Sequence, residues 1–140
     1  MRAVVIYESL TGNTAQAAEL IGENLVAEGV SATVFPTTDI DFQALADADL
    51  VIVGSWTDGL FFFAQKPARS GRLSQLPLLT GKRCAVFCTF ALDPGKTLDK
   101  LSDLMRERGA DVLGGMTIRR NDLDGGSREF VDRVLGVVAV

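Results

Sequence analysis

Ser9, Thr11 and Thr14 place hydroxyl groups around Gly12 in the stretch Glu8-Ser9-Leu10-Thr11-Gly12-Asn13-Thr14. A turn of this kind that opens a helix presents unpaired N–H groups and the positive end of the helix dipole, and Ser/Thr hydroxyls add neutral donors. The chemistry on offer is anion binding without a cation, since neither Lys nor Arg lies between Arg2 and Lys66. A phosphate held here would be a dianion satisfied by hydrogen bonds alone, which favours a monophosphate over a polyphosphate with magnesium. The alternative reading of the same residues is a plain turn and helix cap, a role these residue types also prefer.

Other reactive types are scarce. Histidine is absent, which removes Ser-His and Cys-His nucleophile pairs, imidazole proton shuttles and the commonest metal ligand. Cys84 and Cys88 lie on one strand-like run and point to one face, too far apart along it to be bridged, so both read as buried structural thiols. Asp93-Pro94-Gly95-Lys96-Thr97 looks like the end of a triphosphate-binding loop, but Phe90 stands where that pattern demands glycine. Gly95 is expected to permit a turn and Thr97 to cap the helix that follows. The turn Asp122, Asp124, Gly125, Gly126 is too short for an EF-hand loop.

The elements that position these residues follow from hydrophobic periodicity. Ala3–Tyr7 is a continuous apolar, β-branched run of the kind buried on both faces of a sheet. Ala17, Ala18, Ile21 and Leu25 predict a helix over Thr14–Glu28 that Gly29 ends. Strand composition returns at Val30–Phe35, a short helical candidate covers Asp41–Ala46, and Asp49–Gly54 is a second central-strand run. A long loop, Ser55–Pro67, carries Trp56, Asp58, Gly59 and Phe61, Phe62 and Phe63, and Lys66–Leu76 could hold a helical turn or two. Arg83–Thr89 predicts a strand, Thr97–Arg108 a helix ended by Gly109, Asp111–Ile118 a strand, and Ser127 onward a closing helix. Strands alternating with helices over short connections predict an α/β fold: a doubly wound, five-stranded parallel sheet with helices on both faces. Ligands of such sheets bind at the carboxyl ends of the strands, which directs attention to the loops after Tyr7, Gly54 and Thr89.

The chain has 140 residues, 47% of them hydrophobic and 23% charged. That length and the absence of any low-complexity tract predict a single domain spanning 1–140. The formal charge of −4 is spread among interspersed acids and bases, which disfavours nucleic-acid binding. No apolar run approaches the ~20 residues that span a bilayer, so a cytoplasmic location is expected.

Ser9-Leu10-Thr11-Gly12-Asn13-Thr14 matches the Ser/Thr-x-Thr-Gly-x-Thr phosphate loop of the flavodoxin family, and the resemblance extends through element order and length over nearly the whole chain, in the short-chain form. It implies a flavodoxin-like sheet of order 2-1-3-4-5 with FMN as cofactor. It further implies that two loops hold the flavin ring: Ser55, Trp56, Thr57, Asp58 and Gly59, and Thr89, Phe90, Ala91, Leu92 and Asp93 with Pro94 and Gly95. Trp56 stands nearer its strand than the family's ring-stacking tryptophan, and Phe90, Leu92 and Pro94 replace residues usual in the second loop. Asp58 and Asp93 are candidate acceptors for the ring N3–H, and Lys96 a source of positive charge near it. No side chain is expected to act as nucleophile or base, and none is expected to bind a metal.

The function this implies is electron transfer through a non-covalently bound flavin, with a redox partner protein or a reductase as partner. An FMN-dependent reductase of a quinone-like small molecule remains open, as does a flavodoxin-fold module that has lost FMN and acts in binding or regulation. Phe61–Phe63 could form an apolar rim suited to a quinone-like oxidant.

Overall fold

The computed structural model describes residues 1–9, 12–56, 76–77 and 79–138. Its strands are β1 (Arg2–Tyr7), β2 (Ser31–Pro36), β3 (Leu50–Trp56), β4 (Arg83–Phe90) and β5 (Asp111–Arg119). The helices among the described residues are α1 (Asn13–Ala27), α2 (Phe42–Asp47), α3 (Thr97–Glu107) and α4 (Leu123–Val138), with a 3-10 turn at Arg120–Asp122. All strand pairs are parallel and the order is β2-β1-β3-β4-β5, as expected. The winding reverses between β1 and β3, where Tyr7 lies beside Gly54.

Two apolar layers enclose the sheet. On one face Val5, Ile52 and Phe87 pack against Ala17, Ile21 and Leu25 of α1 and Phe130, Val131 and Val134 of α4. On the other, Val4, Val51 and Val86 meet Leu45 of α2 and Leu101 and Met105 of α3. The unbroken apolar runs of β1, β3 and β4 are the direct consequence, since strands covered on both sides have no solvent face to keep polar. Gly54 admits the Phe87 ring, which a Cβ would meet at 2.0 Å, and Phe87 stands edge-on to Phe130 at 5.7 Å between centroids.

Several boundaries differ from the sequence expectation. The last helix begins at Leu123 rather than Ser127, so Gly125 and Gly126 lie in its first turns rather than in a preceding turn. Asp122 Oδ1 accepts from the Gly125 N–H at 3.3 Å. A Cβ on Gly126 would lie 2.7 Å from Ile118 Cγ2, so glycine there brings helix and strand together rather than breaking the helix. Thr97 is the first residue within α3 and not its cap: Lys96 holds the cap position with no side-chain hydrogen bond. Trp56 and Phe90 end strands instead of lying past them. The helical candidate over 66–75 lies outside the described residues.

Candidate functional site

The carboxyl ends of β1, β3 and β4 converge on the turn that starts α1. Gly12 occupies the cap position of α1 in a left-handed conformation, φ 94°, and as glycine offers no side chain to cap the helix. A glycine suits that φ, which costs other residues energy. The first turn of α1 holds no acid, so the positive end of the dipole is uncompensated by a side chain of its own helix. Ser9 Oγ accepts from the Gly12 N–H at 3.1 Å, closing the turn on itself. The plain-cap alternative for Thr14 is therefore not what the structure holds: its hydroxyl does something else.

Thr14 Oγ1 lies 2.7 Å from Thr89 Oγ1, both residues being buried. This contact ties the start of α1 to the end of β4, across the sheet from sequence neighbours. Two hydroxyls carry two protons and the contact uses one, so the other must find an acceptor elsewhere. Ser55 Oγ, at the end of β3, is fully buried without a partner among the described residues. Buried hydroxyls of native proteins are paired in the great majority of cases, so unsatisfied ones at the ligand end of such a sheet point to a missing hydrogen-bonding ligand. A phosphate-bearing group that accepts at the Gly12 turn fits these donors.

The remaining expected residues divide. Asn13 opens α1, adjacent to Gly12 and Thr14. Trp56 is half-buried at the end of β3, in register with Thr89 of β4. Phe90 is buried, with the Arg119 guanidinium 5.1 Å from its ring centroid. Ala91, Leu92 and Asp93 form the exposed turn after β4, and Leu92 is 84% exposed. Asp93 Oδ1 accepts from the Gly95 N–H at 2.9 Å, so one carboxylate oxygen shapes its own turn, where Gly95 takes φ 56°. Leu10, Thr11, Thr57, Asp58, Gly59 and Phe61–Phe63 lie outside the described residues. Cys84 and Cys88 are buried and in no disulfide, and burial pushes the Cys84 thiol up to about 12, leaving it protonated and unreactive at neutral pH. No cluster of metal-ligating residues occurs among the described residues.

Glu8 escaped the sequence reading. Its side chain is buried at the end of β1, accepts from the Thr37 hydroxyl, and its N–H donates to Gly54 O at 3.0 Å. It thereby fixes the chain's exit from β1 against both neighbouring strands. An acid directly after an apolar strand run was the available signal.

A doubly wound parallel sheet with a helix start at its winding reversal, whose described residues carry hydroxyls and no cation, defines a class: an α/β domain suited to a phosphate-bearing ligand at its strand ends. The flavodoxin domain family matches residues 4–118, and the chain belongs to it. Proteins of this family bind FMN. A flavodoxin of Clostridium beijerinckii is 23% identical over 128 residues, which cover 91% of this chain and 93% of that protein. Two-electron reduced Megasphaera elsdenii flavodoxin superposes with a TM-score of 0.76 at 21% identity, over 93% of this chain and 96% of that one. A variant of a Pseudomonas aeruginosa flavodoxin matches over 100% of both chains with a TM-score of 0.76 at 16% identity. The chain is thus a flavodoxin-like protein of the electron-transfer type. No helix among the described residues is long and apolar enough to cross a membrane.

Proposed function

We propose that this chain, acting as one domain over residues 1–140, binds a single FMN non-covalently and passes electrons between redox partner proteins in the cytoplasm. The phosphate is assigned to Ser9, Leu10, Thr11, Gly12, Asn13 and Thr14. The ring is assigned to the space between the loop opened by Ser55 and Trp56, running on through Thr57, Asp58 and Gly59, and the turn from Thr89 to Asp93. The observation that carries this reading is the buried Thr14–Thr89 hydroxyl pair at the strand ends, together with the buried Ser55 hydroxyl that has no partner among the described residues. Bound FMN would supply the reversible electron storage. The chain's own residues hold and insulate it: the helix start and hydroxyls take the phosphate charge, while buried Phe90 and half-buried Trp56 supply apolar surface near the ring.

A reductase acting on a quinone-like molecule is the second reading, favoured by the exposure of Leu92 beside the ring loop. The experiment is direct. The purified protein, reconstituted with FMN, is expected to show a flavin spectrum perturbed from that of free FMN and to accept electrons from a flavoprotein reductase. It should then pass them to a haem protein faster than to a quinone. Faster turnover of the quinone supports the reductase reading, and a colourless protein indifferent to added FMN refutes both.

A further inference from the structure

The carboxyl end of the sheet carries cations that the phosphate cradle does not use. Lys96, Arg119 and Arg120 are exposed, and none of them has an ion pair or a side-chain hydrogen bond among the described residues. Every other described lysine and arginine is engaged. Asp47, Asp103, Asp124 and Glu129 hold Arg2, Arg106, Arg128 and Arg133. Backbone carbonyls hold Lys82 and Arg83, and Lys100 and Arg108 have interactions of their own.

The three unengaged cations fall in one corner. Phe90 and Arg119 are register partners at the ends of β4 and β5, and the Arg119 guanidinium lies over the Phe90 ring. Arg120 follows directly in the 3-10 turn, and Lys96 holds the cap position of α3, just past the turn from Ala91 to Gly95. Leu92 belongs to that turn and, at 84%, is the most exposed large apolar side chain described. Acids are present too, but each already serves its own backbone. Asp93 and Asp122 accept from the Gly95 and Gly125 N–H groups at 2.9 and 3.3 Å, and Asp99 offsets the positive end of α3 from its first turn. An exposed apolar residue among unengaged cations is the pattern of an interface core with a charged rim.

We propose that this corner docks an acidic electron-transfer protein, with Leu92 buried in the contact and Lys96, Arg119 and Arg120 meeting the partner's carboxylates. The inference rests on the electron-transfer reading and adds to it the partner's charge and the place where it sits. A guanidinium stacked on an aromatic ring has its flat face covered while its N–H groups stay available, so Arg119 is held ready for a carboxylate. Unpaired cations around the contact also steer an acidic protein toward it, an attraction that salt screens. The net charge of −4 taken alone predicts a basic partner, so local and global charge give opposite expectations. The turn that bears Leu92 is also the one assigned to the flavin ring, which puts a partner seated there beside the cofactor.

The test is calorimetric titration of the FMN-loaded chain with a plant-type ferredoxin, which is small and strongly acidic, and with cytochrome c, which is strongly basic. Ferredoxin should bind more tightly, and its affinity should fall as salt rises from about 20 to 200 mM. Lys96→Glu, Arg119→Glu and Arg120→Glu should each weaken ferredoxin binding about threefold at low salt, and Leu92→Ala about fivefold at every salt concentration. The three reversals combined should raise affinity for cytochrome c, a gain that a misfolded variant would not show, while Arg133→Glu on α4 should leave both titrations unchanged. The FMN-free chain is titrated in parallel: ferredoxin bound by a chain that takes no FMN sustains the docking surface and refutes the electron-transfer reading. No binding of ferredoxin, or tighter binding of cytochrome c, overturns the proposal. So does ferredoxin binding that survives the reversals and Leu92→Ala. Reversals that abolish binding of NADPH but leave ferredoxin untouched overturn it as well, giving the cations to a dinucleotide's phosphates.

Discussion

The two ends of the sheet spend their polar groups differently. At the amino end, where β1, β3, β4 and β5 begin, polar and charged groups are consumed by the fold. The Arg2 N–H donates to Asp49 at 2.9 Å, Lys82 Nζ donates to the carbonyls of Ala46 and Ala48 at 2.9 and 2.8 Å, and Arg83 reaches Val138 O at 3.3 Å. At the carboxyl end the described residues of the cradle, Ser9, Gly12, Asn13 and Thr14, bring hydroxyls and no cation, and the buried Ser55 hydroxyl has no partner among the described residues. The lesson is that cations at the amino end are structural fasteners, while neutral donors are left for the ligand. A dianion seated by neutral donors and a helix start gains hydrogen bonds without a competing ion pair that salt would screen.

Substitutions at the two ends can break or sharpen that contrast. The largest effect is expected from Gly54→Ala, which forces a methyl group into the Phe87 ring. It should cost about 3 kcal/mol by chemical denaturation, near the upper end for overpacking, and lower FMN affinity as the strand end shifts. Thr14→Val leaves the buried Thr89 hydroxyl unpaired and should cost about 1–3 kcal/mol. Lys82→Met removes both carbonyl contacts at the amino end and should cost about 1–2 kcal/mol with FMN affinity unchanged; a loss of affinity would dissolve the distinction between the ends. Ser55→Ala is expected to have the smallest effect on the apo protein, a gain of about 0–1 kcal/mol, because it deletes a buried hydroxyl without a partner. If the apo protein loses stability instead, that hydroxyl belongs to the fold and not to a ligand.

Much of this was readable from the chain. The apolar runs of β1, β3 and β4 and the helical spacing from Ala17 to Leu25 follow from burial on both sheet faces, which periodicity reports well. What sequence could not report was contact across the sheet. The Thr14–Thr89 pair joins residues far apart in the chain, and the Glu8–Thr37 contact joins the ends of two strands. Glycine carried the opposite difficulty: Gly125 and Gly126 looked like a turn, yet they lie in α4 because Asp122 accepts the Gly125 N–H and Ile118 needs the space beside Gly126. Thr97 likewise looked like a cap by residue type, while Lys96 holds that position.

The claim that neutral donors at the carboxyl end hold a phosphate is tested most directly by titrating the apo protein with FMN and with riboflavin, for the wild type and for Thr11→Val combined with Thr14→Val. The wild type should bind FMN at least tenfold more tightly than riboflavin, a difference of about 1.4 kcal/mol. The double variant should lose most of that preference while its riboflavin affinity changes little. Equal affinity for the two flavins in the wild type, or an FMN preference that survives the double substitution, would contradict the account.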